Sequence, residues 1–273
     1  MQTMPRTLQA AFVCIALIML CACTTPRDRL LALAHASQAE ASVIQTSLFP
    51  LQVVAPKALH VSKTLTLYIE GDGHAWATAT QPSLDPSPHN LGVTSLALAP
   101  GHPGIYLARP CQFVMNDNCR PTLWTDARFG GAVVDAMQSA LDILKAKYNA
   151  SSLELIGYSG GAAIALLLAQ HRGDIVQVQT IAGNLDPFAW VKLKGLSPLA
   201  GSIDPLLDVT RLSTTRQRHF VGAQDRIVPA ILATGFVRKA RPKCVELVEV
   251  PGTHASVVES FAAGRLGRPI VCQ

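Results

Sequence analysis

Short apolar runs alternate with helical periodicities along most of the chain. Runs at 51–55, 65–69 and 105–108 read as early strands. Residues 131–147 set Val133, Val134, Met137, Leu141 and Leu144 on one helical face. The run 153–158 reads as a short strand and 160–171 as a strongly apolar helix. A strand at 176–181, a short strand at 219–221, a helix at 229–238, a last strand at 245–250 and a closing helix at 256–263 follow. Strands alternating with helices imply an α/β fold, a mostly parallel sheet with helices on both faces. The Pro-rich stretch 81–103 reads as a long surface loop. Residues 23–45 read as a polar, helix-like linker, leaving one domain over 46–273.

The first 22 residues stand apart from this pattern. Arg6 supplies a positive start, and 10–21 is an uncharged, mostly apolar stretch shorter than the roughly 20 residues that span a bilayer. It ends in Leu20-Cys21-Ala22-Cys23, which resembles a bacterial lipobox. That resemblance implies a lipoprotein signal peptide over 1–22, lipid attachment at Cys23 and a membrane partner reached through the anchor. An ordinary signal peptide cut after Ala22 is the alternative. Thr24 rather than Asp after the lipid site favours the outer membrane, facing the periplasm, by the same resemblance. Stable anchoring takes more than one acyl chain.

Cysteine usage fits an exported chain. Beyond Cys23, four cysteines remain: Cys111, Cys119, Cys244 and Cys272. An even number in an oxidising compartment suggests two disulfides, with three pairings open. Pairing Cys111 with Cys119 and Cys244 with Cys272 closes the shortest loops. With 49% hydrophobic and 15% charged residues in 273, disorder is excluded. A net charge of +5 without a Lys/Arg-rich run suggests no nucleic-acid partner. No CxxC or HxxxH spacing calls for a metal.

The chemistry concentrates where the 153–158 strand meets the 160–171 helix. There Gly157-Tyr158-Ser159-Gly160-Gly161 puts a serine on a tight strand-to-helix turn whose neighbours must be small. Such a serine needs a base and an orienting acid. Asp225 follows a strand end and Gly222, just before a Pro-started helix. His254 follows the last strand and Gly252, opening the final helix. Asp186, after the preceding strand, is the second candidate for the acid. A tetrahedral intermediate also needs donors for its oxyanion. The backbone N–H of Gly160 is one candidate. The Gly-rich turn after 65–69 offers the Asp72 N–H as the other, with Gly73 next. His74 is the other histidine placed near such a site.

With its motifs in this order, the chain resembles the α/β-hydrolase family. It is most similar to bacterial α/β-hydrolase lipoproteins, through the lipobox, Tyr68-Ile69-Glu70-Gly71-Asp72-Gly73, Ala108-Arg109-Pro110-Cys111-Gln112, Trp124-Thr125-Asp126-Ala127-Arg128-Phe129 and the serine turn. The resemblance implies the α/β-hydrolase fold and a serine hydrolase of carboxylesterase or lipase type. Ser159 attacks, His254 carries the proton and Asp225 orients the imidazole. The substrate is a small or lipid-like acyl compound: an ester, or an amide or thioester. No cofactor and no metal are implied. An acyltransferase, or an envelope lipoprotein that keeps the scaffold for binding alone, are the competing readings. Glu70 departs from the family, standing where a histidine is usual; its carboxylate must be paired or turned away from a developing anion, with Arg109 and Arg128 as candidate partners and ordinary ion pairs of these groups as the alternative. Residues 184–216, rich in Leu with Phe188 and Trp190, form either a small cap over an apolar pocket or a core helix with a loop.

Overall fold

The structure is a computed structural model that describes residues 24–61, 63–259, 261 and 263–272. The expected signal peptide over 1–22 and Cys23 lie outside the described residues. Among the described residues, eight strands form one sheet in the order β1-β2-β4-β3-β5-β6-β7-β8. They are β1 (Ala39–Gln45), β2 (Pro50–Pro56), β3 (Thr64–Ile69), β4 (Ile105–Leu107), β5 (Ser152–Tyr158), β6 (Ile175–Ile181), β7 (Arg216–Gly222) and β8 (Val245–Val250). β1 and β2 run antiparallel at one edge, and the strands from β4 through β8 are parallel to one another. The chain therefore has the doubly covered, mostly parallel sheet that its apolar pattern predicts.

Within the stretch expected to be a linker, Pro26–Ala36 forms a helix and Ala39–Gln45 a strand. Helix α1 (Pro26–Ala36) starts at a capping box, in which the Thr25 hydroxyl accepts the Asp28 N–H and the Asp28 carboxylate accepts the Thr25 N–H. Pro26 occupies the first turn, where its missing N–H costs nothing. β1 then pairs along its whole length with β2. Its Ala-Glu-Ala-Ser start hides it from pattern reading, because half-buried small residues alternate weakly.

Two apolar layers flank the sheet. On one face, α1, α2 (Gly92–Leu98) and α7 (His254–Glu259) bury Leu30, Val93, Leu96 and Val257. On the other, α3 (Gly131–Lys147), α4 (Gly160–His171) and α6 (Ala230–Ala240) bury Met137, Leu141, Leu167 and Phe236. α4 is buried along nearly its whole length, which is why it is apolar all round rather than on one stripe. α2 lies inside the stretch expected to be a loop. It has seven residues and no side-chain cap, so neither length nor a start signal marks it in the sequence.

Both disulfides form with the short-loop pairing. Cys111–Cys119 has Cα atoms 5.8 Å apart and Cys244–Cys272 has them 4.7 Å apart. The first clips the loop after β4 beside buried Trp124 and Phe49. The second ties the C-terminal segment to the start of β8. Among the described residues, no helix is long and apolar enough to cross a membrane.

Candidate active site

The carboxyl ends of parallel strands are where an open α/β sheet presents loops to a ligand. The turns after β3, β5, β6, β7 and β8 carry Asp72, Ser159, Asn184, Asp225 and His254, respectively. Sheet order thus converts five distant stretches of sequence into one rim.

Ser159 stands between β5 and α4 with φ of 50° and ψ of −121°, a left-handed conformation that side chains rarely take. The surroundings over-determine it. The Ser159 N–H donates to the Ile181 carbonyl at 3.1 Å, and its own carbonyl accepts the N–H groups of Ala162 and Asn184 at 3.1 and 2.9 Å. Gly161 lets the helix start reach β3, since a Cβ there would lie 2.4 Å from the Ile69 carbonyl oxygen. At Gly160 the obstacle is a side chain: a Cβ would lie 2.1 Å from Asp72 Oδ1. The need for glycine at 160 therefore arises from the Asp72 carboxylate as well as from the turn.

Ser159, His254 and Asp225 form one hydrogen-bonded line. Ser159 Oγ lies 2.9 Å from His254 Nε2, and His254 Nδ1 lies 2.7 Å from Asp225 Oδ2. The Asp225 side chain is fully buried and that of His254 is 16% exposed. Asp225 Oδ1 accepts the N–H groups of Ile227 and Val228 at 2.8 and 2.9 Å, which orients Oδ2 toward the imidazole. Tyr158 donates its hydroxyl to the His254 carbonyl at 3.1 Å, and the two rings lie 5.3 Å apart. Asp186 does not share this line. It caps α5 (Pro187–Lys194) by accepting the Ala189 N–H, and it pairs with Lys239 at 2.6 Å.

Of the two alternatives open for Arg109 and Arg128, the structure shows them paired with Asp72 and not with Glu70. Arg109 reaches Asp72 Oδ1 at 2.5 Å and Arg128 reaches Oδ2 at 2.7 Å. Arg109 also donates to the Arg128 carbonyl and lies 5.3 Å over the Phe129 ring. Burial works to raise the Asp72 pKa, but the Arg128 and Arg109 charges outweigh it and hold the carboxyl below its ordinary value. One carboxylate between two guanidiniums leaves a net positive cluster beside the serine turn. Glu70 instead accepts the Gly71 N–H at 2.8 Å and the Tyr106 hydroxyl at 3.0 Å. The Gly71 N–H is thus occupied, which leaves Asp72 and Gly160 as the adjacent backbone positions near Ser159.

Burial pushes the Glu70 pKa up to about 7, against the lowering effect of those two donors and of Arg109. A raised carboxyl pKa means that stability is fully present below the unfolded value near 4.5 and is lost as pH rises through about 7. Glu70→Gln should therefore gain roughly 2–3 kcal/mol relative to wild type between pH 5 and pH 8. Urea unfolding at the two pH values measures this, and an unchanged difference would contradict the assignment.

Ser159 and His254 open onto a cleft of about 480 Å³. Apolar walls come from Trp76, Val93, Trp190, Val228 and Val258. His74 lies on this cleft as expected, its ring stacked 4.3 Å from that of His89. His89, Asn184 and Trp190 also line it, and sequence reading does not single out the first two, since neither sits in a spaced motif. Trp190 belongs to α5, whose indole N–H donates to the Ile227 carbonyl at 2.7 Å and so borders the cleft from the 184–216 segment. Among the described residues, no cluster of three or more His, Cys, Asp or Glu is disposed to hold a metal.

Comparison with known proteins places the fold. An esterase of Pyrococcus furiosus superposes with a TM-score of 0.60 at 14% identity, over 85% of this chain and 92% of that one. A bacterial membrane phospholipase A superposes with a TM-score of 0.59 at 14% identity, over 97% of both chains. A lidless α/β serine hydrolase from Xanthomonas campestris superposes with a TM-score of 0.53 at 17% identity, over 84% and 91%. No protein-family model and no curated protein matches the sequence. The chain has the α/β-hydrolase fold.

Proposed function

We propose that the protein is a serine hydrolase that cleaves a carboxylic ester through an acyl-enzyme. The hydrogen-bonded line from Ser159 through His254 to Asp225, with the serine on a strained turn, carries this reading. His254 Nε2 takes the Ser159 proton as Oγ attacks the acyl carbonyl. The backbone N–H groups of Asp72 and Gly160 stabilise the resulting oxyanion, helped by the net positive Asp72–Arg109–Arg128 cluster. His254 then returns the proton to the leaving alcohol as the C–O bond breaks. Water attacks the acyl-Ser159 ester by the same route in reverse and releases the acid. Asp225 keeps the imidazole proton on Nδ1 and stabilises the imidazolium. The apolar cleft walls suit an acyl substrate.

Rapid-quench turnover of p-nitrophenyl esters tests this reading. A burst of nitrophenol stoichiometric with protein is expected, because acylation releases the alcohol before deacylation. Absence of turnover on every ester would count against it.

The same proposal includes attachment to a membrane through Cys23, on the outer membrane facing the periplasm. Cys23→Ser is expected to abolish palmitate labelling and leave the chain unprocessed or free of the membrane fraction. Labelling equal to wild type would contradict the anchor.

A further inference from the structure

The turn after β4 carries a motif that the chemistry of Ser159, His254 and Asp225 leaves unused, Ala108-Arg109-Pro110-Cys111-Gln112. Gln112 is polar yet only 2% exposed. Both ends of its amide are bonded to main chain. Gln112 Oε1 accepts the Arg109 N–H at 3.0 Å, and Gln112 Nε2 donates to the Gly71 carbonyl at 3.0 Å. One partner can only donate and the other can only accept, so a single orientation of the amide satisfies both.

The backbone around Gln112 is strained. Cys111 and Phe113, on either side of it, have φ of 70° and 62°, in the left-handed region. Three constraints fix this bend. The Gln112 N–H donates to the Arg109 carbonyl at 3.2 Å, the Phe113 N–H donates to Ser87 Oγ, and the disulfide ties Cys111 to Cys119. Strain of this kind persists only where the surroundings over-determine it, and it concentrates at functional sites.

Gln112 grips the peptide that joins Gly71 to Asp72. That peptide is trans, so its C=O and N–H point in opposite directions. Bonding the Gly71 carbonyl to Gln112 therefore sets the direction of the Asp72 N–H. Among the described residues, that N–H has no protein acceptor. Gly71 packs against the serine, since a Cβ there would lie 3.2 Å from Ser159 Cβ. Arg109, from the same turn as Gln112, holds the Asp72 carboxylate. The turn after β4 thus grips the turn after β3 at two points, one on the Asp72 side chain and one on its backbone.

We propose that Gln112 is a positioning residue for the oxyanion: it locks the Gly71–Asp72 peptide so that the Asp72 N–H stays aimed at the oxygen of the tetrahedral intermediate. This rests on the hydrolase reading and on the Asp72 N–H as one of its two donors. Gln112 does not line the cleft and acts only through that peptide. Its effect is realised once the oxyanion forms, so it lowers the barrier without strengthening ground-state binding.

Two variants of the full chain test the role. Gln112→Met keeps the length of the side chain and removes both bonds. Gln112→Glu, assayed at pH 8 where a carboxylate is ionised, keeps the acceptor for the Arg109 N–H and loses the donor to Gly71; it decides the matter if Gln112→Met does not fold. In both, kcat for p-nitrophenyl acetate should fall on the order of tenfold to a hundredfold with KM within about twofold, since outright loss of an oxyanion donor costs about 10²–10³. Inhibition by an alkyl trifluoromethyl ketone, whose hemiketal with Ser159 places an oxyanion at the same spot, should weaken by a similar factor. The limb of the pH–rate profile set by His254 should not move, because the hydrogen-bonded line is untouched. Folded variants with kcat and ketone affinity within about twofold of wild type would overturn the role of Gln112 and leave the hydrolase reading intact. A wild type that neither cleaves the ester nor binds the ketone would overturn the hydrolase reading, and this role with it.

Discussion

Ser159→Ala and His254→Ala should each lower ester kcat by on the order of 10⁴–10⁶, with little further loss when combined, because nucleophile and base act as one unit. Asp225→Asn acts differently, and the hydrogen bonds say how. Asp225 Oδ1 accepts two backbone N–H groups, from Ile227 and Val228. An asparagine must keep its oxygen there, since its amide cannot accept. Its NH₂ then faces His254 Nδ1, where the carboxylate oxygen stood at 2.7 Å. The imidazole must move its proton to Nε2, which lies 2.9 Å from Ser159 Oγ. The base nitrogen becomes a donor and cannot take the serine proton. A loss of about 10⁴ in kcat is expected for that tautomer switch. Thermal melts of all three variants should stay within a few degrees of wild type, because their partners remain at the rim of a cleft. Turnover of Asp225→Asn within about tenfold of wild type would contradict the orienting role.

Arg109→Met should cost about 3 kcal/mol of stability, at the low end of the range for breaking a buried ion pair. Arg109 is nearly fully buried, and it ties Asp72 to the loop before α3 by donating to both Asp72 and the Arg128 carbonyl. Its removal leaves Asp72 with Arg128 alone and strips the Arg128 carbonyl of that donor. Arg128 keeps the value from reaching the upper end. Asp72→Asn in the Arg109→Met background should cost further stability, since it leaves the buried Arg128 guanidinium without its carboxylate. A double-mutant cycle by urea unfolding reads the coupling, and additive single losses would contradict a shared charge cluster. The acid limb carries the same signature: Asp72, held below its ordinary pKa, contributes stability that is present above about pH 3.8 and is lost as pH falls through its folded value.

Strand ends followed by glycine turns made much of the site legible. Gly157 to Gly161, Gly222 before Asp225 and Gly252 before His254 mark three loops at one sheet edge, and the structure brings Ser159, Asp225 and His254 together there. The cysteine spacing pointed to both disulfides for the same reason, since short separations favour near neighbours in space. Other features depend on three-dimensional packing that no local signal carries. Which carboxylate meets Arg109 and Arg128 is decided by the turn after β3, which aims Asp72 at the cleft rim and Glu70 at buried Tyr106. β1 is defined by pairing with β2 rather than by its own weakly alternating residues. α2 is too short and uncapped to announce itself, yet its Gly92 and Val93 line the cleft onto which Ser159 opens.

The central claim is that Ser159 is the nucleophile. A fluorophosphonate probe followed by peptide mass spectrometry tests it most directly, because the probe reacts with an activated serine and needs no knowledge of the substrate. The account predicts one adduct per chain, on the peptide containing Ser159, absent in Ser159→Ala and strongly slowed in His254→Ala. No adduct on folded wild-type protein, or an adduct on another serine that persists in Ser159→Ala, would contradict it.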